Sequence, residues 1–522
     1  MTVPFALPFL ASEPRATALL DDGFRRPAAW REEVRIRQGK RCAPALLEAL
    51  SAQHLALPSS PARERNLAAL SDPGTTAVVT GQQVGLFLGP LYTFYKAASA
   101  IAWARAIETE TAARCVPVFW LQTEDHDFAE IASCEVPPAL RLSLPPSDAR
   151  CSVAHLTLAH EVSGLVEELT RALSPLPHAA QVLDLVRASY QPGRGLAQAF
   201  ASLLAAVFAE EGLLFLDPRC PGIARLSSPL YVKAIEDADE IDAALSKRGA
   251  ELSAAGLTEQ VHVRKGSPLV FFHGDRVDGP RRRLQREGAG FLLDGGGVIS
   301  RSALLDAARN EPLRFSSSAL LRPIVQDALL PSVAYVGGPA ELGYLAQTAP
   351  LYPLFGVRPA LAVPRARFRL LDARAASTLN ALGLTPADVE APREELLARL
   401  SNGRASGEDL AGRLLGPLTA QLAESGRKHP ELARAARRTQ VSIERAVSRY
   451  AARHAQLVAN QDRTLAERVD RLQATLFPRG EPQERVHSLP FYAARHGLAA
   501  LKTAVLGALD PRAPPAVRDL TP

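Results

Sequence analysis

A strand, a glycine-rich turn, a helix and a second strand follow one another between residues 75 and 121, and this pattern constrains the fold most. Residues 75–80 are a short β-branched run, residues 90–108 have helical spacing, and residues 115–121 (CVPVFWL) are a second apolar run. The order predicts a βαβ unit. A right-handed crossover makes its strands parallel, so both end at the same edge of the sheet, where ligands of open α/β sheets bind.

Further strand candidates extend this unit into a larger sheet. They are short apolar runs, several of them separated by helical stretches, at residues 213–216, 269–272, 333–336 and 360–363. Alternation of strands and helices favours the α/β class, with a doubly wound parallel sheet that carries inserted segments. We expect this core to occupy residues 1–375.

The composition changes at about residue 376 to alanine, arginine, leucine, glutamate and glutamine. Residues 431–476 contain neither glycine nor proline, and their apolar residues follow the spacing of a coiled-coil seam. With a turn at residues 425–430, the pattern predicts a long antiparallel helical hairpin over residues 376–477. Proline and aromatic residues return after the hairpin, so we expect residues 478–522 to pack back on the core.

Composition excludes several classes of protein. An apolar fraction of 47% in 522 residues can form a sizeable packed core, which argues against a disordered chain. The net charge of +5 is dispersed, which disfavours nucleic acid as a partner, and the longest uncharged stretch contains two glutamines and four glycines, which disfavours a membrane span. Five cysteines without a C-x-x-C motif fit a reducing compartment, so we expect a cytoplasmic protein.

The sharpest motif is TGQQVGLFLGP at residues 80–90, where the first strand gives way to the helix. Glycines spaced four apart let backbone N–H groups approach a ligand, and a helix N-terminus favours an anion. The motif differs from the P-loop and from G-x-G-x-x-G, so neither of those sites is expected. The alternative is a tight turn that needs glycine for steric reasons, followed by a solvated lysine. The candidate binding residues are Gly81, Gln82, Gln83, Gly85, Gly89, Tyr92 and Lys96.

An acidic segment directly follows the second strand, so the same topology places it close to the glycine-rich turn. Its three carboxylates surround one imidazole and repel one another unless a cation or a basic side chain offsets them. Such crowding at a strand end favours a functional site. The candidates are Asp125, His126 and Asp127 for catalysis and Glu124 for binding. The alternatives are a metal site, which lacks a second ligand cluster at recognisable spacing, and a solvated loop.

A third cluster lies in residues 321–341, where LRPIVQD precedes a strand, a glycine pair and a helix start (VAYVGGPAE). The Arg322 guanidinium is suited to bidentate recognition of a carboxylate or phosphate, and the glycine pair again permits close approach of a ligand. The alternative is a buried structural pair of an arginine and an aspartate. The candidate binding residues of this region are Arg322, Gln326, Asp327, Gly337, Gly338 and Glu341.

Four segments of the chain together resemble a known family. VVTGQQVGLFLGPLYTFYKAASAI, VPVFWLQTEDHDFAEI, LRPIVQDALLPSVAYVGGPAELGYLAQ and LFPRGEPQERV are similar, in the same order, to the corresponding segments of the bacillithiol-synthesis cysteine-adding enzymes. The resemblance implies a Rossmann-like core with inserted connecting segments and a coiled-coil element that mediates dimerisation. It also implies a ligase that joins cysteine to the amine of glucosaminyl-malate, the last step of bacillithiol synthesis. One departure is Ser317-Ser318, where family members tend to carry Pro-Asn.

Amide formation needs an activated carboxyl, so the activity that the resemblance implies calls for ATP, with Mg²⁺ as its companion ion. No residue is predicted as a metal ligand. Under this hypothesis the glycine-rich turn and Lys96 hold an anion, the Asp125 segment binds the substrate ammonium or takes up its proton, and Arg322 holds a carboxylate. The expected partners are the small-molecule substrates and a second copy of the chain, bound through the helical hairpin. Two alternatives stay open: another ATP-dependent amide ligase or nucleotidyl transferase on this scaffold, and a non-catalytic nucleotide-binding scaffold protein.

Overall fold

The computed structural model describes residues 2–137, 140–145, 150–401, 407–461, 463–513 and 515–522. These residues form two compact units. The first comprises the described residues up to Val136, Leu140–Phe368 and His487–Arg518, and the second comprises Arg369–Val486 with Asp519–Pro522. None of the described helices combines the length and the apolar character that a membrane crossing requires.

Strands and helices are numbered separately along the chain. The strands are β1 (Val3–Pro4), β2 (Thr76–Gln82), β3 (Cys115–Leu121), β4 (Ser133–Val136), β5 (Leu140–Ser143), β6 (Leu214–Leu216), β7 (Leu257–Thr258), β8 (Val270–Phe272), β9 (Arg282–Glu287), β10 (Gly290–Leu293), β11 (Val298–Ser300), β12 (Phe315–Ser317), β13 (Ser332–Gly337), β14 (Leu361–Pro364), β15 (Arg367–Leu370) and β16 (Val517–Leu520). The helices are α1 (Ala6–Leu10), α2 (Pro14–Thr17), α3 (Pro27–Arg37), α4 (Pro44–Leu55), α5 (Pro61–Ala69), α6 (Tyr92–Thr111), α7 (Phe128–Ile131), α8 (Glu161–Leu173), α9 (Ala179–Ser189), α10 (Leu196–Val207), α11 (Pro221–Glu236), α12 (Ala238–Ala254), α13 (Arg301–Asn310), α14 (Arg322–Leu329), α15 (Pro339–Thr348), α16 (Tyr352–Phe355), α17 (Ala373–Leu382), α18 (Arg393–Ser401), α19 (Gly407–Lys428), α20 (Ala433–Gln461), α21 (Arg463–Leu476), α22 (Gln483–Val486), α23 (Leu489–His496) and α24 (Leu498–Ala508).

Five strands of the first unit form a parallel sheet in the order β14, β13, β2, β3 and β6. Counted along the chain this is the order 5-4-1-2-3, which is the Rossmann arrangement, and its topological switch point lies between β13 and β2. Both faces of β2 and β3 are buried. This burial explains why β3 is a continuous apolar run and why β2 is rich in apolar and β-branched residues. The predicted parallel α/β core is confirmed.

The predicted βαβ unit consists of β2, α6 and β3. Its helix packs against both strands, and most of its side chains are buried. The Thr80 hydroxyl near the end of β2 donates to the carbonyl of Val336 in β13 at 2.9 Å, which ties the two strands of the switch point together. The ends of β2, β3 and β13 therefore lie at one edge of the sheet, as the crossover argument requires.

A strand exists at residues 269–272, as expected, but it does not belong to the parallel sheet, which corrects the prediction. It is β8, which pairs antiparallel with β9 and with β12 in a second five-stranded sheet of order β11, β10, β9, β8 and β12. A short apolar run gives no information on its partners, because the same pattern serves a parallel and an antiparallel strand. This inserted sheet forms one wall of the cleft described below.

The second unit is mostly helical, and apolar residues from α17, α18 and α21 form its core. The helices α19 and α20 pack against each other and are joined by a short turn at Pro430–Leu432. The helix before the turn continues to Lys428, beyond the start of the turn expected from the sequence. Residues 402–406 and Asp462, which belong to the expected hairpin, lie outside the described residues.

Candidate active site

A cleft of about 220 Å³ opens at the end of β3, between the acidic segment and the inserted antiparallel sheet. Carboxylates of the acidic segment and arginines of three other chain segments line it, together with apolar side chains around β8. The charged and polar lining residues are Gln122, Glu124, Asp125, His262, Arg264, Ser267, Arg281, Arg283, Ser317, Ser318 and Arg322. The cleft therefore brings the predicted acidic segment and the predicted Arg322 into one site.

Glu124 is the more deeply buried of the two carboxylates in the cleft, with 5% of its surface exposed. The Tyr231 hydroxyl donates to Glu124 Oε1 at 3.2 Å, and the Ser317 N–H donates to the same oxygen at 3.0 Å. The Ser317 hydroxyl donates to the other oxygen, Oε2. Because these donors are all uncharged, they fix the carboxylate without neutralising it. A proline at position 317 would supply neither of the two serine donors.

Asp125 lies beside Glu124 in a different environment. Its Oδ1 accepts from the Arg281 guanidinium at 3.2 Å and from the His126 N–H at 2.8 Å, and its Oδ2 accepts from the Gln83 amide at 2.7 Å. Burial alone would raise the pKa of Asp125, but hydrogen bonding by His126 and the charge of Arg281 hold that pKa well below its ordinary value. Asp125 therefore stays ionised, and its bond to Gln83 joins the glycine-rich turn to the acidic segment.

Arg281 forms a fixed part of the cleft wall. Its guanidinium lies over the ring of Phe271, with 3.7 Å between the guanidinium carbon and the ring centroid. It also donates to the Ser316 hydroxyl at 3.1 Å and to the Ser317 carbonyl at 2.7 Å, in addition to Asp125. These contacts use most of its N–H groups, so the charge of Arg281 is committed to the protein itself.

Arg322 begins α14 and lines the same cleft. Within the described residues the hydrogen bonding of its guanidinium is limited to the Tyr344 hydroxyl, and the guanidinium carbon lies 5.5 Å from the centroid of the Tyr344 ring. Burial alone would lower the pKa of Arg322, but Tyr344 and Tyr335 are among the neighbours that hold that pKa above its ordinary value. The remaining N–H donors of this charged guanidinium are available to a carboxylate or a phosphate.

A buried ion pair fills the switch point between β2 and β13. Lys96 Nζ lies 2.5 Å from Glu341 Oε2. It also donates to the carbonyl of Gly81 at 2.7 Å and to the side-chain oxygen of Gln82 at 2.8 Å. Burial alone would raise the pKa of Glu341, but the Lys96 ammonium helps to hold it below its ordinary value. The expected anion ligand Lys96 is thus paired with a carboxylate of the protein.

The glycine-rich turn packs inward. A Cβ at Gly85 would lie 3.0 Å from the Cα of Gly89, and Gly89 has a φ of +60°, so both positions need glycine for steric reasons. The Tyr190 hydroxyl donates to the Gly85 carbonyl at 3.3 Å, and its ring packs on Phe87 with 4.8 Å between the centroids. The residues that line the cleft include none of Gly81, Gln82, Gln83, Gly85 and Gly89. The steric alternative therefore accounts for Gly85 and Gly89.

Several other candidates make structural contacts. Asp127 is the N-cap of α7, where its carboxylate accepts the Glu130 N–H at 3.3 Å. Asp327 is buried and accepts from the Tyr352 hydroxyl at 2.8 Å and from the Gln326 amide at 3.2 Å. None of these three candidates is among the residues that line the cleft. His126 also lies outside the lining, although its Nδ1 is 3.4 Å from the Arg281 guanidinium.

The remaining candidates surround the ion pair at the switch point. The Gly338 N–H donates to Glu341 at 2.7 Å, and a Cβ at Gly337 would lie 3.1 Å from the Cβ of Glu341. Tyr92 accepts from the amide of Gln82 at 3.3 Å. The structure thus divides the candidates between two places at the sheet edge: the switch point, and the cleft beyond β3.

Sequence analysis missed three residues that shape the cleft, namely Tyr231, Arg281 and Ser317. They lie 107, 156 and 193 positions from the acidic residues they contact. A local signal marks only Arg281, which belongs to a short basic run, and Ser317, which departs from the family pattern. Tyr231 stands in an ordinary helical segment, so nothing local marks it.

Charge complementarity defines what the cleft can bind. Arg322 offers a guanidinium to an anion, and Glu124 offers a carboxylate to an ammonium group. In the part of the chain that is described, no group of three or more His, Cys, Asp or Glu side chains is arranged to hold a metal ion. A Rossmann-like sheet with a charged cleft of this size defines a protein that binds small polar molecules.

Comparison with known sequences gives the family. Residues 2–366 match the model of the N-terminal Rossmann-like domain of bacillithiol biosynthesis BshC. A protein of Solibacter usitatus (strain Ellin6076) is 35% identical over 467 residues, which are 87% of this chain and 85% of that protein. A protein of Koribacter versatilis (strain Ellin345) is 34% identical over 439 residues, or 83% and 82%. Both are named "Putative cysteine ligase BshC". The chain belongs to the BshC family, whose curated members are ligases by name.

Proposed function

We propose that this chain is the ligase that forms the amide between cysteine and the amine of glucosaminyl-malate, the last step of bacillithiol synthesis. Membership of the BshC family and the names of the relatives support the proposal. The observation that carries it is the cleft, which places a carboxylate held by uncharged donors and a guanidinium with available N–H groups in one small site.

The acceptor substrate matches these charges. Glucosaminyl-malate carries one primary amine and two carboxylates, so its ammonium group fits Glu124 and its malate carboxylates fit Arg322. The bonded set of Asp125, Arg281 and Gln83 keeps the wall between them rigid. Such fixed polar groups orient a substrate before reaction, which is a large part of catalysis in amide-forming enzymes.

We propose ATP, with Mg²⁺ as its companion ion, as the source of carboxyl activation. The cleft residues fit its phosphates, because Arg283 is exposed at the cleft and has no ion pair within the described residues. Arg283 would hold the phosphates, and ATP supplies the leaving group that makes the cysteine carboxyl reactive. The contribution of the chain itself is to bind the amine, orient the carboxylates and exclude water.

We also propose that α19 and α20 form a coiled-coil contact in a homodimer. They expose apolar side chains that a second copy would cover, namely Leu414, Leu418, Val441 and Tyr450. Light scattering of the wild type should give twice the chain mass, and a monomeric mass would contradict this part of the proposal. All five cysteines are free thiols, which supports a reducing compartment and hence the cytoplasm.

The function is tested by incubating the purified protein with cysteine, glucosaminyl-malate and ATP and measuring products by mass spectrometry. The expected result is bacillithiol, formed only when all three reactants are present. Serine in place of cysteine tests the donor, and glucosamine in place of glucosaminyl-malate tests the need for the malate carboxylates. A stable, folded protein that forms no amide under these conditions would reject the proposed function.

A further inference from the structure

The two neighbouring carboxylates of the cleft, Asp125 and Glu124, differ in whether a positive charge is in direct contact with them. Asp125 receives the Arg281 guanidinium directly, at 3.2 Å. Glu124 receives only the phenol of Tyr231 and the N–H and hydroxyl of Ser317. A buried carboxylate with uncharged donors keeps its attraction for a cation, because hydrogen bonds from neutral groups orient the charge but do not cancel it.

Other charged and titratable groups face Glu124 from every side of the site. They are Tyr231 on α11, Asp217 after β6, Arg281 before β9, Arg322 at the start of α14, and Asp125 next to it in the chain. Both arginines act on Glu124 through space, and neither forms an ion pair with it among the described residues. A primary ammonium group that enters the cleft would therefore be the first cation in direct contact with this carboxylate.

We propose that Glu124 is the catalytic residue that binds the ammonium group of the acceptor substrate and takes its proton, and that Ser317 is the positioning residue for that carboxylate. This inference rests on the proposed function. It also departs from the expectation drawn from the sequence, in which Asp125 and its neighbours take the proton. Both carboxylates accept hydrogen bonds on both oxygens, but one of the donors to Asp125 is the charged Arg281 guanidinium. Asp125 is therefore neutralised and has neither the free charge nor the proton affinity for this step.

The proposed step moves one proton to Glu124 and replaces a carbon–oxygen bond of the activated cysteine by a carbon–nitrogen bond. One ammonium proton passes to a Glu124 oxygen, which frees the nitrogen lone pair. The nitrogen bonds to the carbonyl carbon of the activated cysteine, a mixed anhydride with phosphate, and the bond from that carbon to the bridging oxygen breaks with its electron pair leaving on the phosphate. The second proton of the nitrogen goes to water or to the departing phosphate, and Glu124 returns its proton to solvent.

Ser317 contributes to this step through geometry. Its N–H and hydroxyl reach different oxygens of the Glu124 carboxylate, so the two bonds fix the rotation of the carboxylate plane. The third donor, the Tyr231 hydroxyl, shares Oε1 with the Ser317 N–H. The Oε2 atom, which has one donor, keeps the greater capacity to accept a proton from the substrate.

The test compares Glu124→Gln and Ser317→Ala with matched controls outside the cleft. The controls are Glu211→Gln, which alters a buried carboxylate paired with Lys502 at 3.1 Å, and Ser228→Ala, which removes a buried hydroxyl bonded to the Ala308 carbonyl at 2.7 Å. Amide formation is measured as kcat and KM for the acceptor at several pH values. Binding of the acceptor is measured separately by calorimetry, and folding by thermal unfolding.

The expected kcat of Glu124→Gln is about 100-fold or more below that of the wild type, which is the usual loss for a proton acceptor. Its residual kcat/KM should rise about tenfold per pH unit below the pKa of the substrate amine, because only free amine reacts, whereas the wild type should be flat over the same range. Ser317→Ala should lower kcat about tenfold with a smaller change in KM, and Ser317→Thr should restore it. Both controls should keep the wild-type pH profile.

Retention of most turnover by Glu124→Gln would overturn the inference, and so would a loss of turnover that leaves the pH profile flat. The appearance of the steep profile in Asp125→Asn instead would assign the step to Asp125. A wild type that makes no product would count against the proposed function itself. In that case calorimetry still tests the role of Glu124. Glu124→Gln should bind the acceptor at least tenfold more weakly than the wild type, and equal affinity would reject that role.

Discussion

The two places at the edge of the parallel sheet differ in how they treat charge. At the switch point, Lys96 and Glu341 neutralise each other, and the backbone and side chains around them complete their hydrogen bonds. In the cleft beyond β3, Glu124 and Arg322 have no direct partner of opposite charge among the described residues. The ion pair at the switch point stabilises the fold, whereas the two charges of the cleft are available to interact with a ligand.

This difference changes what the Rossmann topology implies for this chain. Ligands of open α/β sheets usually bind at the switch point, but here an ion pair of the protein occupies that position. Tyr344 connects the two places, since its hydroxyl accepts from Arg322 and donates to Glu341 at 3.3 Å. The ion pair therefore supports the wall of the cleft, and the proposed function places ligand chemistry beside the inserted sheet.

The largest effect is expected when the ion pair at the switch point is broken. Lys96→Met leaves the Glu341 carboxylate buried without its cation, which should lower the free energy of unfolding by about 3 to 5 kcal/mol. Urea unfolding measures this change. The double variant Lys96→Met with Glu341→Gln should recover part of the loss, because no unpaired charge then remains.

The control for this prediction is the half-exposed pair of Lys233 and Asp237, separated by 2.6 Å. Solvent screens such a pair, so Lys233→Met should cost about 1 kcal/mol or less. Equal costs for Lys96→Met and Lys233→Met would remove the distinction between the neutralised switch point and an ordinary surface pair.

The second prediction concerns Arg322, a cation of the cleft that has no ion pair among the described residues. Arg322→Gln should raise KM for the acceptor about 10- to 100-fold. The substitution removes a hydrogen bond from a charged guanidinium to a substrate carboxylate, and such a bond contributes about 1.5 to 3 kcal/mol. Steady-state kinetics with variable acceptor concentration measures the change. Arg276→Gln, which alters an exposed arginine paired with Asp278, should leave KM at the wild-type value. An unchanged KM in Arg322→Gln would show that the malate carboxylates bind elsewhere.

The sequence predicts the parallel sheet well because buried parallel strands are apolar throughout, as in the CVPVFWL run of β3. It does not predict β9, whose sequence RRLQRE is polar and becomes a strand only by pairing with β8 and β10. Local sequence carries the first kind of information, whereas the second depends on which segments meet in the folded chain.

In the site, too, some contacts follow from local sequence and topology, whereas others depend on which distant segments meet. Topology alone brings Asp125 near the glycine-rich turn, and the bond from Gln83 is the contact that results. The partner of Lys96 could not be predicted in this way, because Glu341 reaches the switch point from the start of α15, far along the chain. Charge compensation, which separates a structural lysine from a binding one, is a property of such distant contacts.

The third prediction uses the pH dependence of stability to test His273, a buried histidine that supports the cleft wall. His273 is buried, and its Nδ1–H donates to the Gly279 carbonyl at 3.1 Å, while Nε2 lies 3.0 Å from the Ser316 hydroxyl that also binds Arg281. Burial, with a further contribution from Arg219, lowers the pKa of His273 to about 3, from 6.5. Between these values the unfolded chain binds a proton that the folded chain does not, so stability is present above pH 6.5 and is lost as the pH falls.

The expected slope from this group is about 1.4 kcal/mol per pH unit on the acid side of pH 6.5. His273→Asn should remove that share of the slope when the free energy of unfolding is measured by urea at pH 7, 6 and 5. His54, whose burial lowers its pKa to about 4, lies elsewhere in the first unit and provides the comparison, since His54→Asn should remove a similar share. A slope that is unchanged in His273→Asn would contradict the neutral, buried state of this histidine.

The smallest effect is expected at Asp127, which the sequence places among the catalytic candidates and the structure places at the N-terminus of α7. Its carboxylate accepts the Glu130 N–H at 3.3 Å and does not line the cleft. Asp127→Ala should lower the free energy of unfolding by about 1 kcal/mol, Asp127→Asn should restore most of it, and both should keep turnover close to the wild type. A large loss of turnover in a well-folded Asp127→Asn would extend the reactive part of the site beyond the cleft. Small effects in both variants would instead confine the chemistry of the acidic segment to Glu124 and Asp125, because only these two carboxylates face the space where a substrate fits.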